Sequence, residues 1–139
     1  MIELQPEYLN KIANQLLLIS SLLGGFSITV LANLLVTKSD AKIIKNIMIV
    51  TTIAASSLLV SIFSLTNIVM ITTEGYPLKI EDSNLNFSKI FAVGSFLIGI
   101  IALSILIALS GWTRSKRIGM FTTIIGALTL ILMFLSMSS

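Results

Sequence analysis

The charged side chains of this chain, nine basic and six acidic, stand in four short clusters. Met1 to Lys11, Lys38 to Lys45, Glu74 to Lys89 and Arg114 to Arg117 hold all of them. Between and after these clusters lie the uncharged intervals Ile12 to Thr37, Asn46 to Thr73, Ile90 to Thr113 and Ile118 to Ser139. A helix rising about 1.5 Å per residue needs roughly 20 apolar residues to cross a hydrocarbon core of ~30 Å, and each interval can supply them. Barrel strands would alternate apolar and polar residues over about ten positions, which these runs do not do. Backbone groups in lipid must be satisfied within the segment, which leaves helices. The chain therefore reads as an all-α integral membrane protein, a single domain over residues 1–139 with spans at about 15–36, 47–71, 90–111 and 118–137.

Composition agrees with this reading. Of the 139 residues 55% are hydrophobic and 11% charged, and the mean hydropathy is +1.03, far above what a soluble domain of this length needs. The first span follows Glu3 and Glu7 and a single Lys11, whereas a signal peptide has a basic start and a shorter apolar run, so this span is expected to remain in the mature protein. Cysteine is absent, which removes disulfides, thiolate chemistry and palmitoylation. The net charge of +3 comes from basic residues beside the membrane. Membrane lipid with anionic headgroups is therefore the expected partner, and nucleic acid is not.

The connectors differ in sign. Thr37 to Asn46 carries Lys38, Lys42 and Lys45 against Asp40, and Gly111 to Arg117 carries Arg114, Lys116 and Arg117 with no acid. Thr72 to Lys89 carries Glu74, Glu81 and Asp82 against Lys79 and Lys89. Lys and Arg in short loops favour the cytoplasm, so the expected topology has loops 37–46 and 111–117 inside. Both termini and loop 72–89 are then outside, in a bacterial inner membrane or another plasma membrane. Gly75, Tyr76 and Pro77 mark a turn in that outer loop. Trp112 and Tyr76 fall at predicted interfaces, where amphipathic rings act as anchors.

The chemical inventory is short. Histidine and cysteine are missing and every carboxylate lies in a connector or near the N-terminus. That excludes acid–base pairs, metal clusters and nucleophile–histidine arrangements, so no enzyme, catalytic residue, metal or cofactor is expected. Coupled transport is disfavoured as well, because carriers usually place ionisable groups within their spans.

Small and uncharged polar residues remain. Ser20 with Gly24, Ser21 with Gly25, Ser95 with Gly99 and Thr122 with Gly126 form small-xxx-small pairs that let helices approach closely in lipid, and they are the expected helix-packing positions. Plotted at 100° per residue, Leu18, Leu22, Phe26, Thr29 and Asn33 share an arc of about 80°, flanked by Asn10, Asn14, Ser21 and Gly25. A carboxamide in hydrocarbon has to face a neighbouring helix or water. A ring of first helices would thus form an apolar neck at Leu18, Leu22 and Phe26 above a polar constriction at Thr29 and Asn33. The alternative is a single interhelical hydrogen bond from Asn33, worth about 1 kcal/mol.

The stretch Ser20-Ser21-Leu22-Leu23-Gly24-Gly25-Phe26 resembles the start of the pore-lining first helix of the Orai calcium channels. Four helices, a short first connector and a Thr/Ser-rich second helix at Thr51 to Ser57 agree with that family. The resemblance implies a homo-oligomeric ion channel with the first helix innermost and Leu22, Phe26 and Thr29 along the pore. Asn33 then stands where the family has its selectivity glutamate, and Leu18 where it has a basic gate. An amide ring does not hold a divalent ion as carboxylates do. The sequence to Ser139 carries no counterpart of the coiled-coil tail that couples Orai to its activator. The family keeps both termini in the cytoplasm, opposite to the topology that the loop charges predict.

Two function classes follow from these residues. One is a subunit of an oligomeric pore. The other is a non-conducting module, an accessory, anchor or effector subunit that binds another membrane protein through its small-residue faces.

Overall fold

A computed structural model describes residues 5–38, 40–73, 75 and 82–139, without the side chains of Pro6 and residues 82–84. It contains α1 (Pro6–Val36), α2 (Lys42–Thr72), α3 (Asp82–Ser110), one 3₁₀ turn at Gly111–Thr113 and α4 (Lys116–Ser138). All four α-helices are long and apolar enough to cross a membrane, and there is no strand among the described residues. The predicted turn residues Tyr76 and Pro77 lie outside the described residues, as do Glu74, Lys79 and Glu81. Gly75 is described, and its φ of 87° is one that L side chains rarely adopt.

The helices run beyond the predicted apolar cores because backbone hydrogen bonding continues after hydrophobicity stops. α1 begins nine residues before the core predicted at about 15, with Pro6 in its first turn, where a missing N–H costs nothing. Lys11 and Glu7 pair at 3.6 Å one turn apart on this exposed extension. Ser115 caps the start of α4, its hydroxyl accepting the Ile118 N–H at 3.3 Å.

Packing is sequential: α1 lies on α2, α2 on α3 and α3 on α4. α2 and α3 thus form the middle of the bundle, and α1 and α4 its two edges. The buried positions of α2 are Ile47, Thr51, Ala54, Leu58, Ser61, Leu65 and Ile68, with Ala55 beside them. The first seven alternate steps of four and three, the spacing of a left-handed helix seam, but small and hydroxylated residues occupy almost half of them. Leu58 is fully buried between two glycines. A Cβ on Gly24 of α1 would lie 3.6 Å from its Cβ, and a Cβ on Gly99 of α3 would lie 2.8 Å from its Cγ. Gly99 is therefore the closer approach, tight enough that even a methyl group displaces something.

Hydrogen bonds fasten the same seam. Ser20 and Ser61, both fully buried, stand 3.5 Å apart, and the Ser61 hydroxyl donates to the Ala92 carbonyl at 3.2 Å. Nearer the end opposite the basic connectors, Asn67 donates to the Ser88 hydroxyl at 2.8 Å. Beside it the Asn10 amide reaches the Val69 carbonyl at 3.1 Å and the Thr72 hydroxyl at 3.0 Å. Leu9, Ala13, Leu65, Ile68 and Ala92 close the apolar cluster between these bonds.

Candidate functional site

α1 buries one face only. Leu9, Ala13, Ser20, Gly24 and Ser27 are buried, and at 100° per residue they gather on one side of the helix. Leu18, Leu22, Phe26, Thr29 and Asn33 are all exposed and centre on the opposite side. Leu22 is 67% and Phe26 71% exposed. The predicted stripe is therefore continuous and turned away from the rest of the bundle.

The small-residue pairs divide. Ser20 and Gly24 face α2 and meet Ser61 and Leu58. Ser21 and Gly25, one residue further round, are exposed, and a Cβ on Gly25 would meet nothing within 4 Å. Within the single chain these two make no helix contact. In lipid either edge could have carried the packing, and the steric match to Leu58 selects the first. On α3, Ser95 is half-buried and Gly99 buried. On α4, Thr122 donates to the Ala108 carbonyl at 3.0 Å, and a Cβ on Gly126 would lie 3.0 Å from the Ser104 carbonyl oxygen.

The polar groups of the α1 stripe are in different states. Ser21 donates to the Leu17 carbonyl at 2.7 Å and Thr29 to the Gly25 carbonyl at 2.9 Å. Asn14 donates to the Asn10 carbonyl and side chain at 3.0 and 2.9 Å. These bonds stay within α1 and lower the cost of facing hydrocarbon. The Asn33 amide has no hydrogen bond among the described residues; only its backbone carbonyl is used, by Thr37. Counting about 1.5 Å per residue from the midpoint between Lys11 and Lys38, Asn33 sits roughly 13 Å from the bilayer centre, just inside the ~15 Å half-thickness. Gly25 falls near the centre itself.

Trp112 is 39% exposed and donates its indole N–H to the Thr123 hydroxyl at 2.9 Å. Its ring packs so closely over Gly119 that a Cβ there would overlap it. The residue predicted as an interface anchor thus also ties the 3₁₀ turn to α4.

Sequence reasoning did not single out Ser61, Asn67 and Ser88, the polar seam of α2 and α3. The four–three spacing of Thr51, Ala54, Leu58 and Ser61 could have pointed to Ser61, whereas no spacing pointed to Asn67 or Ser88. No family model matches the chain, and comparison with curated proteins and with solved structures found no match.

Proposed function

We propose that this protein is one subunit of a homo-oligomeric membrane pore, with α1 innermost and its free face towards the axis. The observation that carries the reading is the unlike treatment of the two edge helices. α4 turns Phe121, Ile124, Leu128, Leu132 and Leu135 outward, an aliphatic and aromatic surface that lipid solvates well. α1 turns outward Asn14, Ser21, Gly25, Thr29 and Asn33 among its apolar residues, a mixture that lipid solvates poorly and that water or a second copy satisfies. Around an axis, Leu18, Leu22 and Phe26 form the apolar neck, and Thr29 and Asn33 the polar constriction. The Orai resemblance of Ser20 to Phe26 supports the same arrangement. With Asn33 at the constriction, the ring is uncharged and the pore weakly selective.

The loop charges support an orientation with connectors 37–46 and 111–117 in the cytoplasm and the termini outside, in a bacterial inner membrane or another plasma membrane. Single cysteines at Ser39, Ser83 and Ser115 test it with an impermeant maleimide on intact cells. Labelling at Ser83 alone is the expected result. Labelling at Ser39 and Ser115 with Ser83 protected reverses the topology.

A second reading has an observation of its own. The hydroxyls of Ser21 and Thr29 and the Asn14 amide are already bonded within α1, so the stripe can also lie dry against a partner helix in a non-conducting assembly. Asn33→Asp separates the two. In a wet constriction it places a ring of carboxylates and raises divalent over monovalent flux in proteoliposomes. In a dry interface the same change costs several kcal/mol and the oligomer is lost. Loss of the oligomer, or an intact oligomer with unchanged ion preference, overturns the pore assignment of this residue.

A further inference from the structure

At the end of the subunit that carries the basic connectors, the last turns of α1 and α3 stand apart over the first turns of α2. The gap is an open cleft of about 400 Å³, a size within the ~300–1,000 Å³ of ligand sites. Its walls are Val30 and Leu34 of α1, Ile44 and Ile47 of α2, and Leu106 and Ile107 of α3. The hydroxyl-bearing residues Ser110 and Thr113 complete the lining at the α3 side. By residue count Val30 is roughly 8 Å and Leu34 roughly 14 Å from the bilayer centre, so the cleft runs from the headgroup boundary into the acyl region.

The charge around it is one-sided. Lys38 stands four residues after Leu34, just past the end of α1, and Arg114 follows Thr113 directly; both side chains are exposed. Lys42, Lys45, Lys116 and Arg117 lie exposed at the same end, against Asp40 as the one acid there among the described residues. An aliphatic slot at acyl depth below a cationic rim matches a molecule with an anionic head and a hydrocarbon tail, and basic pockets between transmembrane helices hold anionic lipid headgroups.

We propose that this cleft binds one anionic phospholipid per subunit, with an acyl chain against Val30, Ile44, Ile47 and Ile107 and its phosphate between Lys38 and Arg114. The site lies on the α1–α2–α3 junction and does not depend on whether the protein conducts.

The test uses the full chain in mild detergent, titrated with dioleoyl phosphatidylglycerol or dioleoyl phosphatidylcholine and read by native mass spectrometry. Phosphatidylglycerol is expected to bind at one per subunit, roughly tenfold or more tighter than phosphatidylcholine, a ratio within reach of two juxtamembrane cations. Lys38→Gln with Arg114→Gln should erase that preference while leaving the weak phosphatidylcholine binding unchanged. Ile107→Trp, which fills the slot, should abolish the one-per-subunit binding of both lipids. Leu34→Gln, which makes the wall polar without enlarging it, repeats this arm if the tryptophan variant does not fold. Equal binding of the two lipids to the native chain overturns the proposal. So does phosphatidylglycerol binding that survives in the slot variants, because the headgroup is then held by surface charge with no chain in the cleft.

Discussion

α1 and α4 occupy equivalent places in the bundle, each an edge helix packed on one neighbouring helix, yet they are built on opposite plans. α4 meets α3 through close approaches. Gly126 lies against the Ser104 carbonyl, and the Gly111 turn lies against Thr122 and the Ile118 carbonyl so tightly that a Cβ would overlap both. Its outer face carries Phe121, Ile124, Leu128, Leu132 and Leu135. α1 meets α2 with more tolerance at Gly24, where a Cβ would make ordinary contact, and keeps its small and polar residues Ser21, Gly25, Thr29 and Asn33 on the outside. Small residues mark close approach between membrane helices. On α4 that approach is used up inside the bundle, whereas on α1 half of it makes no contact within the chain.

The largest expected effect tests that leftover edge. Gly25→Leu adds bulk where nothing in the subunit stands within 4 Å, so the subunit should fold and the oligomer should dissociate. Ala127→Leu, the same enlargement on the exposed face of α4, should leave the oligomer intact. Native mass in mild detergent reads both, and dissociation by Ala127→Leu alone would exchange the roles of the two edges.

Next in size is the difference between the two inner seats. Gly111→Ala drives a methyl group into Thr122 and the Ile118 backbone and should cost about 1–3 kcal/mol, the usual range for overpacking. Gly24→Ala should stay within about 0.5 kcal/mol, since its new contacts with Leu58 and Ile62 lie at 3.6 and 3.7 Å. Unfolding followed by circular dichroism in mixed detergent micelles measures both. A larger loss for Gly24→Ala would make α1 the more rigidly seated helix.

The smallest effects concern the polar clamps. Asn10→Leu removes the bonds to Val69 and Thr72 on the α1 side, and Trp112→Phe removes the bond to Thr123 on the α4 side. Each should cost about 0.5–1.5 kcal/mol in the same unfolding assay. Asn10→Leu is expected to be the worse of the two, because it also leaves Thr72 with only its own carbonyl contacts. Equal losses would mean that the clamps are interchangeable and that the edges differ by packing alone.

The four helices were legible in the sequence because charge is expensive in hydrocarbon and the chain confines all of it to four clusters. The stripe on α1 was legible too, since helical periodicity alone brings Leu18, Leu22, Phe26, Thr29 and Asn33 onto one side. Which side of the helix that would be was not. In water the apolar face of a helix is its inner face, but lipid tails are as apolar as leucine, so hydrophobicity does not distinguish inside from outside in a membrane helix. Ser20–Gly24 and Ser21–Gly25 are indistinguishable as patterns, and only the tertiary structure separates them, by setting Leu58 against the first pair and leaving the second bare. The same holds for the middle of the subunit. The sequence by itself determined that four helices are long and apolar enough to cross a membrane and where their apolar cores lie, because those properties follow from the transfer of residues between water and lipid. That α2 is central, that Leu58 sits between Gly24 and Gly99, and that Ser61 joins α1 to α3 were decided by the tertiary structure, because shape and hydrogen-bond geometry between helices choose among faces that are all equally soluble in lipid.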